Sequence, residues 1–380
     1  MLKEFEYWLK TPDTYRSLFF LKKILRSTAS SAVWNYAPLR LIRDYVQSWQ
    51  YVNYHILSVD PLIILDVWQH GYFRELSAYL PKEKNAYFIC LNWWHLESDH
   101  NVKMTQAKYL DQRRRYPRHH IFFLCNSMNQ KELFDRYHLP SIYCNQNALL
   151  DEDRYRILPQ VHKEFDAIYL AVAAPFKRHQ LACEIESLAL IMYFASFSKS
   201  SYVDEIKRTL PQAIWLIDPE PLKNYIPGQK IGEYLNLART GLCLSAAEGA
   251  MYASAEYLLC GLPVVTTRSR GGRDVFFDDD YTMTVDDDPR AVRLGVQELI
   301  ARRIPCDEIR ARTLTKIQPH RQRFIRLVQD IYNRENVDRR FEKEWDQIFV
   351  NKMLTSRRLR CLRDDIRRRK HCPNHVSQAR

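Results

Sequence analysis

Glycine is scarce in this chain of 380 residues: there are nine, and only Gly71 precedes Gly228. A Gly-rich phosphate loop is therefore excluded from the first half, because such loops need backbone that only glycine adopts freely. Cysteines at metal-binding spacing are also missing. The nine that occur are scattered, odd in number and never C-x-x-C. That excludes a structural zinc site of that pattern and a disulfide framework, and it points to free thiols in a reducing compartment. Long apolar runs are absent as well. The longest, "AIYLAVAAPF" (167–176), is too short to span a bilayer and suits a buried strand. The opening "MLKEFEYWLKTPDTYRSLFF" carries acids and lacks an apolar core followed by a small-residue cleavage site. These absences lead to the expectation of a cytoplasmic protein that does not cross a membrane, with peripheral contact at its inner face left open.

An apolar share of 46% and an aromatic share of 13% describe a globular protein with sizeable cores. The length favours two domains. The net charge of +12 is unevenly placed, for residues 357–380 hold eight Arg and one Lys against Asp364 and Asp365. Three readings compete for this tail: a solvated, partly disordered appendage, a contact with anionic lipid headgroups, and a nucleic-acid contact. The tail has no aromatic residue for stacking on bases, which weighs against the third.

Pattern along the chain predicts a helical N-terminal extension over residues 1–50, with apolar residues at helical spacing. Strands follow at "DPLIILDVW", "NAYFICLNWW", "HHIFFLCNS" and "SIYCNQN", and "NQKELFDRYHLP" is a helix stopped by Pro140. The acidic stretch 149–164 reads as an interdomain linker. After it come the strand "FDAIYLAVAA", a long helix over "KRHQLACEIESLALIMYFASF", the strand "AIWLID", the helix "GEYLNLART", the strand "GLCLSAA", a further helix, and the strand "PVVTT". Strands alternating with helices imply parallel sheets covered on both faces. The expected organisation is a first α/β domain over 1–157, a second over 158–335, a C-terminal helix over 336–356 that returns to the first domain, and the basic tail over 357–380.

Five of the nine glycines, 241, 249, 261, 271 and 272, fall within 32 residues, so chemistry is expected in the second half. This region holds "SAAEGAMYASAEYLLCGLPVV", with Glu248 and Glu256 eight positions apart. The strand "GLCLSAA" is expected to end at Glu248. A helix from about Ala250 to Cys260 follows, stopped by Gly261 and Pro263. Ligands bind at that edge of open α/β sheets. Amides of Gly249, Ala250, Met251 and Tyr252 at the helix start can face an anion there, and the two carboxylates suit a hydroxyl-rich ligand. An isolated pair of glutamates has a plainer reading, in which one caps the helix and the other is solvated.

The E-x7-E pattern, with glycine after the first Glu and C-G-L-P-V-V after the second, resembles the signature of retaining, nucleotide-sugar-dependent glycosyltransferases of the GT-B group 1, or family 4, type. The following "TTRSRGGRDVFFDDDYTMTVDDDPRAV" resembles that family's continuation. "FDAIYLAVAAPFKRHQLA" resembles the first strand and helix of its donor domain, and "LCNSMNQKELFDRYHLPSIYCNQN" the last strands of its acceptor domain. The resemblance implies two Rossmann-like domains with parallel sheets facing across a cleft. It implies transfer of a sugar, hexosyltransferase-type, from a nucleotide diphosphate-sugar to a glycan or lipid-linked acceptor, as in polysaccharide biosynthesis, with no metal or other cofactor. Lys177 and Arg178 would hold the diphosphate. Glu248, with the amides of residues 250–252, would hold the sugar, and Glu256 the ribose. His95, in "LNWWHLESDH", would serve the acceptor side; with Glu97, Asp99 and His100 it also matches metal ligands in type. Gly271 and Gly272 would turn beside the donor. The Asp runs 278–280 and 286–288 read as acidic loops. Two features differ from the family pattern. Val172 and Ala171 stand where an arginine usually precedes the lysine, and the first strand carries no Gly-rich loop. They motivate a second reading, a GT-B-like protein that binds nucleotide-sugar with little or no transfer.

Overall fold

The structure, a computed structural model, describes residues 51–68, 72–195, 197–217, 228–348 and 355–371. The helical reading of 1–50 lies outside them, as does the tail beyond 371. The chain divides into two compact units, one of Asn53–Ser356 with Arg363–Arg380, the other of Met1–Val52 with Arg357–Leu362. Both sheets described below belong almost wholly to the larger unit.

Two parallel-dominated sheets carry the fold. In the first, β1 (Tyr51–Val59) and β2 (Leu62–Val67) form an antiparallel hairpin. Next come β3 (Ala86–Leu91), β4 (His119–Cys125) and β5 (Ser141–Tyr143), parallel to β2 and in the order β2-β3-β4-β5. Helices α1 (Tyr72–Tyr79), α2 (Asp99–Arg115) and α3 (Met128–Arg136) make the crossovers. Every residue of β3 is buried. A strand covered on both faces reads as an unbroken apolar run, which is why "AYFICL" shows no alternation. Ser98 and Ser127 accept from the amides of Asn101 and Gln130 and so cap α2 and α3.

The second sheet is all parallel, in the order β11-β10-β9-β6-β7-β8. Its strands are β6 (Phe165–Val172), β7 (Leu188–Tyr193), β8 (Ile214–Trp215), β9 (Ala238–Cys243), β10 (Val264–Thr267) and β11 (Thr282–Val285). Helices α4 (Ser200–Thr209), α5 (Gly228–Asn236), α6 (Tyr252–Leu259) and α7 (Pro289–Arg302) lie between or after them. One prediction fails here. "KRHQLACEIESLALIMYFASF" is not a long helix: after two 3-10 turns it becomes β7, with Leu188–Met192 buried. A short apolar run has the same composition in a buried strand as in a buried helix, and length alone separates them.

The longest helix, α8 (Cys306–Arg334), serves both sheets. Its Ile309 and Ile317 join the core of the second sheet. Past Pro319, its Phe324, Leu327, Val328, Ile331 and Tyr332 join the core of the first. Residues 341–348 form a 3-10 turn and a four-residue helix, with Phe341 and Trp345 also in that first core. The basic segment behaves differently from a solvated appendage. Leu359 and Leu362 are buried, α9 (Leu362–His371) is helical, and Asp365 accepts from Tyr54 Oη at 2.7 Å. No helix among the described residues is long and apolar enough to cross a membrane.

Candidate active site

Two neighbouring strands of the second sheet, β6 and β9, end side by side at its carboxyl edge, where α/β folds bind ligands. Beyond β6 the chain enters a 3-10 turn, Pro175–Lys177, and then Arg178, which is left-handed (φ 54°). No helix begins at Lys177, so no helix dipole opposes its charge there. Beyond β9 the chain runs irregularly from Leu244 to Met251. Met251 is left-handed (φ 51°), and α6 starts at Tyr252 rather than near Ala250. Glu248 therefore sits ahead of the helix, in a loop.

A buried ion pair joins the two exits. Lys177 Nζ donates to Glu248 Oε1, and each side chain is only 7% exposed. Ser245 Oγ donates to the same oxygen at 2.6 Å. Burying either charge alone would cost several kcal/mol, roughly, so each holds the other in place. The Lys177 ammonium also lies 5.4 Å from the centre of the Phe176 ring. Glu256, on α6, is 1% exposed, which removes its reading as a solvated position.

Arg178 faces elsewhere. Its Nε donates to Leu244 O at 2.6 Å, one terminal nitrogen to Thr267 Oγ1 at 2.7 Å and the other to Asp287 at 2.6 Å. It ties the chain after β9 to the end of β10. Arg273, fully buried, performs the same service from the other side, donating to Ser245 O at 2.5 Å and Thr266 Oγ1 at 2.7 Å. Ser245, whose hydroxyl reaches Glu248, is thereby fixed.

The carboxyl edge of the first sheet supplies the opposite wall, through asparagines. Asn147 Nδ2 donates to Ala250 O at 2.8 Å and Met251 O at 3.1 Å. Asn145 Nδ2 donates to Gly272 O at 2.6 Å and Asn126 O at 2.8 Å, and Asn126 Nδ2 to Asn92 O at 2.8 Å. Glu97 accepts from the Gly271 amide at 3.1 Å and from Ser127 Oγ. The glycines owe their presence to this lacing. A Cβ on Gly249 would lie 2.7 Å from the backbone of Asn92 and Trp93, and one on Gly272 2.2 Å from Asn126 O. Gly271 has φ 105°, and its Cβ would meet Glu248 O at 1.7 Å. These close approaches are to the protein's own backbone.

His95 follows β3, half-buried. Burial first, then Arg270, lower its imidazole below the usual range, with Glu97 and Glu248 pulling the other way. It therefore shares the electrostatic neighbourhood of Glu248. Asp99 instead accepts from Tyr137 Oη at 2.7 Å, and His100 is exposed. Among the described residues no group of three or more His, Cys, Asp or Glu is arranged to hold a metal ion. The Asp runs are engaged as structure. Asp278 pairs with Arg312 at 2.6 Å and Lys316 at 2.9 Å, Asp287 pairs with Arg178, and Asp288 caps α7 by accepting from Ala291 N at 2.9 Å.

Sequence reasoning named Lys177, Glu248, Glu256 and His95; the structure joins Lys177 to Glu248 in one buried contact, places His95 within reach of the Glu248 charge, and buries Glu256 on α6. It missed Ser245, Arg273 and the asparagines. Asparagine at the carboxyl end of a predicted strand, as in "HHIFFLCNS" and "SIYCNQN", was the available signal.

No protein-family model matches the chain, and no curated protein matches it in sequence. Solved structures do match. HepE from Anabaena, in complex with UDP and glucose, superposes with a TM-score of 0.52 at 13% identity, covering 81% of this chain and 88% of that one. The HepE complex with UDP gives the same TM-score and identity, covering 81% and 89%. TarM gives a TM-score of 0.46 at 12% identity, covering 65% of this chain. The chain spans about half the length of TarM (49%). The fold is thus that of GT-B glycosyltransferases.

Proposed function

We propose that the chain is a glycosyltransferase that moves a sugar from a nucleotide diphosphate-sugar to a glycan or lipid-linked acceptor, with retention. The observation that carries this reading is the buried Lys177–Glu248 pair at the carboxyl edge of β6 and β9, within a fold shared with HepE, which was solved with UDP and glucose. As the glycosidic bond breaks, negative charge grows on the leaving diphosphate. The Lys177 ammonium, held in a dry site, stabilises that charge more than it stabilises the ground state. Glu248 accepts from hydroxyls of the transferred sugar, and Glu256 from the ribose. Each charge satisfies the other until the donor's phosphate and hydroxyls take over both roles. His95, kept neutral at neutral pH by burial and Arg270, can accept the acceptor hydroxyl's proton. Lys177 supplies the cation, so transfer proceeds in EDTA; complete loss with recovery on adding magnesium or manganese would contradict that. Any contact of residues 357–380 with an anionic membrane face rests on charge alone, because Leu359 and Leu362 are buried.

The test is calorimetry with a panel of nucleotide diphosphate-sugars. The reading requires at least one to bind, with Glu256→Gln weakening it about ten- to a hundredfold, the worth of a charge-assisted hydrogen bond. A panel that binds nowhere, or a variant that binds equally well, would remove the donor site from the account.

A further inference from the structure

Large aromatic side chains are partly exposed beside the site. Trp93 is 37% exposed, Trp94 40%, Tyr193 39% and Phe197 60%, where most residues of their kind are buried. They come from segments distant in sequence, the exits of β3 and β7, and Phe176 joins them from the exit of β6. All three exits lie at the carboxyl edges of the sheets. The rings also touch. Trp94 meets Phe176 edge-on, with centroids 5.2 Å apart and planes at 90°, and Phe176 lies 6.4 Å from Phe197. Lys177 Nζ sits 5.4 Å from the Phe176 ring and His95 5.4 Å from Trp94.

We infer that this aromatic corner is a carbohydrate-binding subsite, in which Trp94, Phe176 and Phe197 take the apolar face of an acceptor sugar. The inference rests on the transferase reading above and adds the class of the acceptor: a glycan, rather than a bare lipid chain. The chemistry is mixed in the way a sugar ring is mixed. A pyranose presents C–H groups on one face and hydroxyls around its edge. Here the Trp94 ring stands 5.4 Å from the half-buried His95 imidazole, whose Nδ1 has no hydrogen-bond partner. A sugar can cover the rings and hydrogen-bond that imidazole together. A polyprenyl chain would cover the rings and further desolvate the His95 imidazole, leaving its buried Nδ1 without a hydrogen-bond partner, which is unfavourable. The perpendicular planes of Trp94 and Phe176 give the corner a floor and a wall, so it takes a thick ring and fixes its orientation.

The test uses the full chain on an array of neutral oligosaccharides, with Trp94→Ala and Phe197→Ala beside it and UDP calorimetry on the same preparations. The expected result is retention by a subset of the glycans, about tenfold weaker or more in each variant, with UDP affinity changed by less than about twofold. Phe197, at 60% exposed, carries the test if Trp94→Ala does not fold. Retention by no glycan, equal retention in wild type and variants, or binding to polyprenyl-phosphate vesicles that the variants lose would each overturn the inference. If UDP also fails to bind the wild-type chain, the transferase reading falls; if UDP binds and the glycans do not, only the acceptor assignment falls.

Discussion

At the scale of single residues, the account turns on a lysine and a glutamate that share one buried contact. Removing one member of a desolvated pair leaves the other charge uncompensated, at a cost of roughly 3–5 kcal/mol. Lys177→Ala should therefore lower the free energy of unfolding by about that amount in urea, and adding Glu248→Leu should restore part of it. A single variant that costs less than about 1 kcal/mol would mean the pair is open to water. The glutamates and the lysine were singled out in the sequence by resemblance to the E-x7-E family signature, since an isolated pair of glutamates reads as a cap and a solvated position. Their mutual contact was not legible. Lys177 and Glu248 are 71 positions apart, and only the β6–β9 pairing brings them together. Arg178 shows the reverse. Its diphosphate role was implied by the family resemblance of the Lys-Arg pair, whereas in the structure its guanidinium is engaged by Leu244, Thr267 and Asp287.

At the scale of elements, the loops after the strands are laced to one another so closely that glycine is the only residue that fits at certain points. Gly271→Ala places a Cβ against Glu248 O at φ 105° and should destabilise the fold by at least about 2 kcal/mol. Gly295→Ala is the contrast. It lies in α7, its Cβ would stand 3.0 Å from the Val285 side chain, and helix propensity favours the alanine, so the change should stay within about 1 kcal/mol. Thermal unfolding of the two variants side by side checks both, and equal losses would refute the steric argument. Clustered glycines were visible in the sequence, but the partner they make room for was not, since Asn92, Trp93 and Asn126 belong to the other sheet. The strands were legible where an unbroken apolar run was short and followed by a turn. The misread helix over 177–197 shows the limit: β7 and a buried helix share a composition, and what decides is pairing with β6 and β8, a non-local fact.

At the scale of the molecule, α8 spans both cores, and its His320 marks the changeover. His320 Nδ1 accepts from the Asn145 amide at 3.0 Å, which requires the neutral ring. Burial, with Arg323 nearby, lowers it to about 4. His179 is lowered to about 3, by burial and then by Lys177. Both pKa values are depressed in the folded state, so the unfolded chain binds more protons between these values and the ordinary value near 6.5. Stability is therefore full above about pH 6.5 and is lost as pH falls toward 4 and 3. At pH 5 each histidine should cost about 2 kcal/mol. The midpoint of urea unfolding should fall from pH 7 to pH 5, and His320→Asn should flatten that slope while lowering stability at pH 7. An unchanged slope in the variant would clear His320 of the effect. The two-sheet architecture was legible from the alternation of strands and helices. The bridging by α8 was not, because a 29-residue amphipathic pattern does not reveal that its two halves face different cores. Charge was misleading at this scale: a strongly basic end suggested a free tail, yet two leucines and the Tyr54–Asp365 bond hold its first half.

Nucleoside diphosphate release from the nucleotide-sugar panel, followed with and without oligosaccharide acceptor, tests the central claim most directly. The account predicts release that the acceptor stimulates, that EDTA leaves intact, and that Glu248→Gln reduces at least about a hundredfold, within the range for losing one charge-stabilising group, while the variant still unfolds cooperatively. Nucleotide-sugar that binds but releases no diphosphate under any condition, or release that Glu248→Gln leaves unchanged, would contradict it.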